Sequence, residues 1–337
     1  MKANTPRVLG QGCDPVSPVG VGAMSFTNFY GTCEDHMAEA VLARALDLGI
    51  NHIDTSNVYG DGKSEERIGA FLKQQGKQAQ GLFHIATKAG IARRPGTMDR
   101  VFNNEAGYLE EQLDLSLKRM GLEQIDLFYI HRRQSEIPIE EVAGSLVKLI
   151  EKGKIKSFGF SEIAPSSLRR AARIHPVAAV QSEYSLSTRA PELGLVQSCT
   201  ELGTSLVAFS PVGRTFLTDR PRAQAECMEL PFLKVNPRFQ QPAYDENMVY
   251  VKAFQAYAAD MGVAAASLAI AWVLAQANHI IAIPGTRKPE HLDELAAARD
   301  IDITDTICAE LEQILPVGWA HGDRYSDTQW VGPERYC

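Results

Sequence analysis

Short apolar runs alternate with longer segments of helical period along the chain. Eight runs have the length and nearly continuous apolar character of strands covered on both faces: residues 19–22, 51–54, 83–87, 125–130, 155–160, 180–181, 205–209 and 280–283. Helices are predicted between them. Residues 35–48 carry Met37, Val41, Leu42 and Leu46 as a stripe. Ser64 reads as the N-cap of a second helix, with Glu65 and Glu66 in its first turn. Helices at 105–120, 140–152 and 191–202 stop before Gly121, Gly153 and Gly203. A helix at 165–174 starts on Pro165 and stops before Pro176, and 264–275 and 290–298 finish the series. Eight strands alternating with helices predict an α/β fold, a (β/α)8 TIM barrel forming one domain over residues 1–337, rather than a doubly wound sheet. Gly20-Val21-Gly22 lacks the third glycine of a dinucleotide-binding turn, and Gly60-Asp61-Gly62 has the wrong setting.

Three stretches fall outside the repeat. Residues 1–18, with Gly10, Gly12 and Pro15, predict a short N-terminal hairpin closing the barrel bottom. Residues 211–247 predict a long irregular loop after strand 7, of the kind that usually serves function. The tail at 317–337 carries Trp319, Tyr325, Trp330 and Tyr336 without periodicity, and could cover the barrel mouth or meet a partner subunit.

Composition narrows the function classes. The 337 residues are 45% hydrophobic and 22% charged, and a net charge of −7 is spread with both signs interleaved. No basic block tracks a phosphate backbone, so no nucleic-acid partner is expected. The first twelve residues are polar, and no window approaches the ~20 apolar residues of a membrane span, so neither a signal peptide nor a membrane partner is expected. Cys13, Cys33, Cys199, Cys227, Cys308 and Cys337 form no CxxC pair. They read as free thiols of a reducing compartment, with the cytoplasm the expected location. The chain leaves its oligomeric state open.

A barrel of this kind carries its site at the C-terminal ends of the strands. The second strand ends on Asp54, followed by Thr55-Ser56 and Tyr59; the third on Lys88; the fourth on His131; the fifth on Ser161; the sixth on Gln181; the seventh on Phe209-Ser210. Singly, each has an ordinary structural role, as a turn, a loop charge or a packing residue. Together they put Asp, Tyr, Lys and His on one face. A tyrosine titrates at ~10 and a lysine at ~10.4. A nearby ammonium lowers the tyrosine pKa. Asp54 would orient Lys88, and Lys88 would bring Tyr59 toward donating its proton near neutral pH. His131 would bond the same oxygen. Such a donor pair suits a carbonyl oxygen that gains charge as hydride reaches its carbon. No HExxH or close histidine pair occurs among the eight histidines, so no metal site is expected. A hydrolase would need paired carboxylates, and Asp54 has no acidic partner among the strand ends.

These residues resemble the aldo-keto reductase family. The resemblance rests on GINHIDTSNVYG at 49–60, Ala86-Thr87-Lys88, IDLFYIH at 125–131, GKIKSFGFS at 153–161, VQSEY at 180–184, AFSP at 208–211 and IPGTR at 283–287, and it runs from about residue 19 to about 315. It implies a barrel that binds NADPH/NADP+ without a Rossmann motif and reduces an aldehyde or ketone to an alcohol by direct hydride transfer. It implies a tetrad of Asp54, Tyr59, Lys88 and His131, with Tyr59 as the acid. By the same resemblance Gly22, Met24 and Asp54 would touch the cofactor, and Ser161 and Gln181 would bond the nicotinamide carboxamide. Phe209 would stack on the ring. Ser210, Pro211, Gly213 and Arg214 would border the pyrophosphate. Gly285, Thr286, Arg287, His291 and Glu294 would surround the adenosine and its 2′-phosphate.

The chain departs from the family pattern at three places. Glu162 stands where an Asn is common, and a carboxylate cannot donate as an amide does; the alternative is that it points to solvent. His291 replaces a frequent Arg and Leu295 a frequent Asn. Arg287 still offers a fixed cation, which favours NADPH over NADH.

The substrate, a small sugar-derived, aromatic or dicarbonyl compound, would meet Met24, Phe26, Phe29, Tyr30, Tyr59, residues 91–93, His131 and Arg132-Arg133. The two arginines could receive a carboxylate or phosphate, or form a surface pair with Glu136 or Glu140. A different class of function also follows from the resemblance: a cofactor-holding regulatory partner, like the potassium-channel β subunits.

Overall fold

Arg7–Val8 (β1) and Pro15–Val16 (β2) pair antiparallel at the start of the chain, Arg7 opposite Val16. The computed structural model describes residues 4–10, 13–79, 81–93 and 100–336, so Gly12 of the expected hairpin and the thiol of Cys337 lie outside the described residues. The repeat then runs Val21–Gly22 (β3), Asp35–Asp47 (α1), His52–Asp54 (β4), Lys63–Gln75 (α2) and His84–Ala89 (β5). A second antiparallel pair, Ile91–Arg93 (β6) with Arg100–Phe102 (β7), precedes Ala106–Met120 (α3). Next come Ile125–Ile130 (β8), Ile139–Glu151 (α4), Ile155–Ser161 (β9), Pro165–Ala172 (α5), Ala179–Glu183 (β10), Leu195–Leu202 (α6) and Ser205–Phe209 (β11). Gln224–Met228 (α7), Pro231–Lys234 (α8) and the start of Ala243–Asp260 (α9) lie within the expected loop, followed by Ala265–Ala275 (α10), Ile280–Ile283 (β12), Pro289–Ala296 (α11) and Asp305–Ile314 (α12).

Among the described residues β3, β4, β5, β8, β9, β10, β11 and β12 pair in that order, all parallel. A parallel bridge from Val19 to Ala282 closes the ring, with the Ala282 amide donating to the Pro18 carbonyl at 2.9 Å and the Gly20 amide to the Ala282 carbonyl at 2.8 Å. This is the expected (β/α)8 barrel. Leu9 and Val16 from the hairpin pack against Ala86, Leu127, Tyr129, Val207 and Ile281, so the hairpin plugs the barrel's interior. The larger apolar layer lies between the strands and the surrounding helices.

Local chemistry explains most boundaries. Gly121 ends α3 with φ 67°, a left-handed conformation that glycine adopts without strain. The strands overrun their apolar runs wherever a polar residue finds a partner inside: β5 continues through Lys88 to Ala89, β9 to Ser161, and β10 to Glu183. Ser64 is not an N-cap. Gly62, at φ 94°, holds that position, while the Ser64 hydroxyl donates to the Ala23 carbonyl at 2.8 Å. Sequence periodicity missed α9, whose buried positions Tyr244, Asn247, Val251, Phe254 and Ala258 follow a clear helical spacing interrupted by one asparagine. Among the described residues no single helix is long and apolar enough to cross a membrane; α9 and α10 meet that test only as a pair bent by 91°, and α10 is buried within the protein.

Candidate active site

Three neighbouring strands deliver the central group. Asp54 ends β4, and its Oδ1 forms a very close ion pair with Nζ of Lys88 on β5. Lys88 is fully buried. Its ammonium has three protons and three acceptors: Asp54, the Thr55 carbonyl at 2.7 Å and the Tyr59 hydroxyl at 3.4 Å. The second Asp54 oxygen accepts from Gln181 Nε2 at 2.7 Å. His131 follows β8, with Nδ1 3.0 Å from the Ser56 hydroxyl and its ring edge-on to Tyr59, centroids 5.7 Å apart. The structure thus brings Asp54, Tyr59, Lys88 and His131 together.

The electrostatics correct one expectation. Desolvation pushes the Tyr59 phenol above its ordinary pKa, and the pull of Lys88 in the other direction does not overcome it. Tyr59 is therefore protonated throughout the neutral range. Burial, reinforced by Arg132, Lys88 and Arg100, holds His131 well below the usual imidazole value, so that ring is neutral at pH 7.

Asp54, Tyr59 and His131 of this group line a cavity of about 1080 Å³. Met24, Phe29, Tyr30, Arg132, Gly22, Ser161, Gln181 and Phe209 line it as well. Ser210, Pro211, Arg214, Gly285, Thr286, Arg287, His291, Glu294 and Leu295 complete the lining among the expected residues. Gly213 is buried in the turn beneath, where a Cβ would lie 2.9 Å from the Ser187 hydroxyl oxygen. Phe26 belongs to the core, and residues 91–93 form β6 away from this cavity. Arg133 turns away to Glu334, 3.5 Å distant.

Glu162 does not point to solvent. It is 2% exposed, sits at φ 57°, and grips the Arg324 guanidinium with both oxygens. Burial opposes its ionisation, yet Arg324 holds the carboxyl down to about 2. The Glu162 side chain is thereby committed to the tail and absent from the cavity wall. Arg214 likewise lines the cavity but gives its charge to Glu183, at 2.6 Å.

The tail covers the barrel mouth. Glu334 accepts from the Ala164 amide at 2.8 Å, and its own amide donates to the Glu162 carbonyl at 2.8 Å. Trp319 donates from its indole to the Leu186 carbonyl at 2.8 Å. Tyr325 enters the wall, with Phe232 and Arg222 from the segment after β11. Sequence reasoning missed these three, because no local pattern separates a wall residue from any other aromatic or cation in an aperiodic stretch. Arg222 and Arg287 reach the carbonyls of Tyr30 and Thr32 at 2.9 and 2.6 Å, and the buried Nε of Arg222 has no partner among the described residues. Among the described residues no group of three or more His, Cys, Asp or Glu could hold a metal ion.

The aldo/keto reductase family model matches residues 18–316. The aldo-keto reductase yakc [NADP(+)] of Schizosaccharomyces pombe is 37% identical over 317 residues, covering 93% of each chain. The probable aldo-keto reductase 1 of Glycine max is 37% identical, over 95% of this chain and 91% of that protein. Among solved structures, the glycerol dehydrogenase AKR11B4 from Gluconobacter oxydans superposes with a TM-score of 0.80 at 27% identity, covering 94% of this chain and 96% of that one. With a family match across most of the chain and a barrel of the matching architecture, this protein belongs to the aldo/keto reductase family and is an oxidoreductase of that type.

Proposed function

We propose that the protein is an NADPH-dependent reductase of a small aldehyde or ketone, with Tyr59 as the proton donor. The observation that carries this reading is the bonded series Asp54, Lys88, Tyr59 beside a neutral His131 on a cavity of about 1080 Å³. Other lining residues of that cavity fit a phosphorylated cofactor. Among the described residues Arg222 and Arg287 line it with no carboxylate in ion-pair range, and one buried guanidinium nitrogen there lacks any partner. The Schizosaccharomyces pombe relative bears NADP(+) in its name, which points the same way.

When bound, NADPH supplies the hydride that reduces the carbonyl carbon. The chain's own residues act on the oxygen. Tyr59, protonated at neutral pH, gives its proton to the oxygen as charge develops there. Lys88, fixed by Asp54 and the Thr55 carbonyl, stabilises the phenolate left behind. With Nδ1 against the Ser56 hydroxyl, His131 presents its other nitrogen to the same oxygen as a second donor. Gln181 uses its amide nitrogen on Asp54, which leaves its carbonyl oxygen as an acceptor for a carboxamide. Ser161 and Phe209 flank that place.

The test is NADPH consumption over a panel of aldehydes and ketones, with NADH run in parallel. Turnover with preference for NADPH is the expected result. Tight NADPH binding with no turnover across the panel would instead support the regulatory-partner alternative, and an NADH preference would refute the assignment of Arg222 and Arg287.

A further inference from the structure

Arg132 is an uncompensated cation beside the proton-donating group of the cavity. Its Nη1 donates to the His131 carbonyl at 2.6 Å and to the Ser161 hydroxyl at 3.0 Å, which leaves Nε and Nη2 with no protein acceptor among the described residues. No carboxylate stands within ion-pair distance of it among those residues. Lys88 has Asp54, Arg214 has Glu183, and Arg324 has Glu162; Arg100, which also acts on His131, lies outside this cavity and donates to the Val331 carbonyl at 3.0 Å. The carboxylate whose charge it feels is Glu162, and that group is held by Arg324 on both oxygens. Arg133 and Arg132 thus part company, since Arg133 pairs with Glu334 outside this cavity. Glu140, an alternative partner for the two, is taken by Arg170 at 2.7 Å.

A half-buried guanidinium with free donors is costly to leave facing an apolar wall. The same cavity is lined by the aromatic rings of Phe29, Tyr30, Phe232 and Tyr325, with the paired Arg214 over Phe232 and Tyr325. The planar fork of an arginine matches one carboxylate, and a single unpaired cation balances one negative charge. We infer that the substrate is a carbonyl compound with an apolar or aromatic body and a carboxylate, which Arg132 binds while the carbonyl oxygen meets Tyr59 and His131. This rests on the reductase reading of the same site and deepens it to a substrate class.

The experiment compares kcat/KM for 3- and 4-carboxybenzaldehyde with the matching methylbenzaldehydes, in the wild type, Arg132→Gln and Arg132→Lys, with NADPH. The ratio of carboxylated to methylated substrate isolates the charge, because any general effect of the substitution on His131 or Ser161 moves both members of a pair. The wild type is expected to prefer a carboxylated aldehyde by about tenfold or more, as one charge-assisted hydrogen-bonded pair provides. Arg132→Gln brings the ratio to about one, and Arg132→Lys restores part of it. A wild-type ratio near one overturns the inference without reference to any variant, and so does a preference that survives in Arg132→Gln. In both cases reduction of the methylated aldehydes leaves the reductase reading standing. If neither aldehyde of any pair is reduced, that reading fails and takes this inference with it.

Discussion

Around the Tyr59 site Lys88, Arg214 and Arg324 are each buried against a carboxylate, whereas Arg222 and Arg287 in the cavity wall donate to backbone carbonyls and have no carboxylate in ion-pair range among the described residues. Buried, paired charges hold geometry: each proton of Lys88 has one acceptor, so Tyr59 has a fixed neighbour. Unpaired cations in a half-open wall hold nothing by themselves and attract an anion instead. The difference separates the part of the cleft built to orient a reacting group from the part built to receive charge. Arg132 is the exception that links them, a cation beside His131 with no carboxylate in ion-pair range among the described residues.

The largest effect should come from breaking the paired arrangement. Lys88→Ala leaves Asp54 buried without its counter-ion, which costs about 3–5 kcal/mol of stability. Urea unfolding checks this, and a loss below 1 kcal/mol would mean that the pair is not desolvated as the structure has it. Next is the tail anchor. Glu162 has its pKa held at about 2, below the 4.5 of an ordinary carboxyl, so its contribution is present above pH ~4.5 and is lost as pH falls toward 2. The depression corresponds to about 3 kcal/mol at neutral pH. Glu162→Gln should therefore be less stable than wild type at pH 7, with the gap narrowing as pH falls from about 5 to 2. A gap that stays constant over that range would refute the assignment.

The unpaired cations of the wall give a smaller effect. Arg287→Ala should weaken NADPH binding by about tenfold while leaving NADH binding nearly unchanged, and the loss should shrink at high salt because the site is partly exposed. Fluorescence titration of both cofactors at two salt concentrations measures this. Equal weakening of the two would mean that Arg287 does not read the 2′-phosphate.

The same contrast governs what was legible in the chain. Parallel strands buried on both faces leave apolar runs, and each run ends where the site begins, so Asp54, Lys88 and His131 stood out at strand ends. The strand ends themselves were misjudged at Lys88 and Glu183, because a buried charge looks like a loop residue until its partner is known. Those partners, Asp54 and Arg214, lie 34 and 31 positions away, and Glu162 and Arg324 meet across 162, so nothing local announces the pairs. The tail showed aromatics without a period, which is compatible with a lid or an interface; only its bonds to Glu162, Ala164 and Leu186 identify the lid. Helix α9 was legible in principle, had Asn247 been counted with the apolar positions on its buried face.

The central claim is that Tyr59 gives the proton. It is tested most directly by Tyr59→Phe, which keeps the ring and removes the hydroxyl. Stopped-flow or steady-state NADPH oxidation with a reducible aldehyde should show kcat lowered by about 10²–10⁴-fold, with the NADPH dissociation constant and the urea midpoint close to wild type. A variant that folds, binds NADPH and retains near-normal kcat would contradict the account.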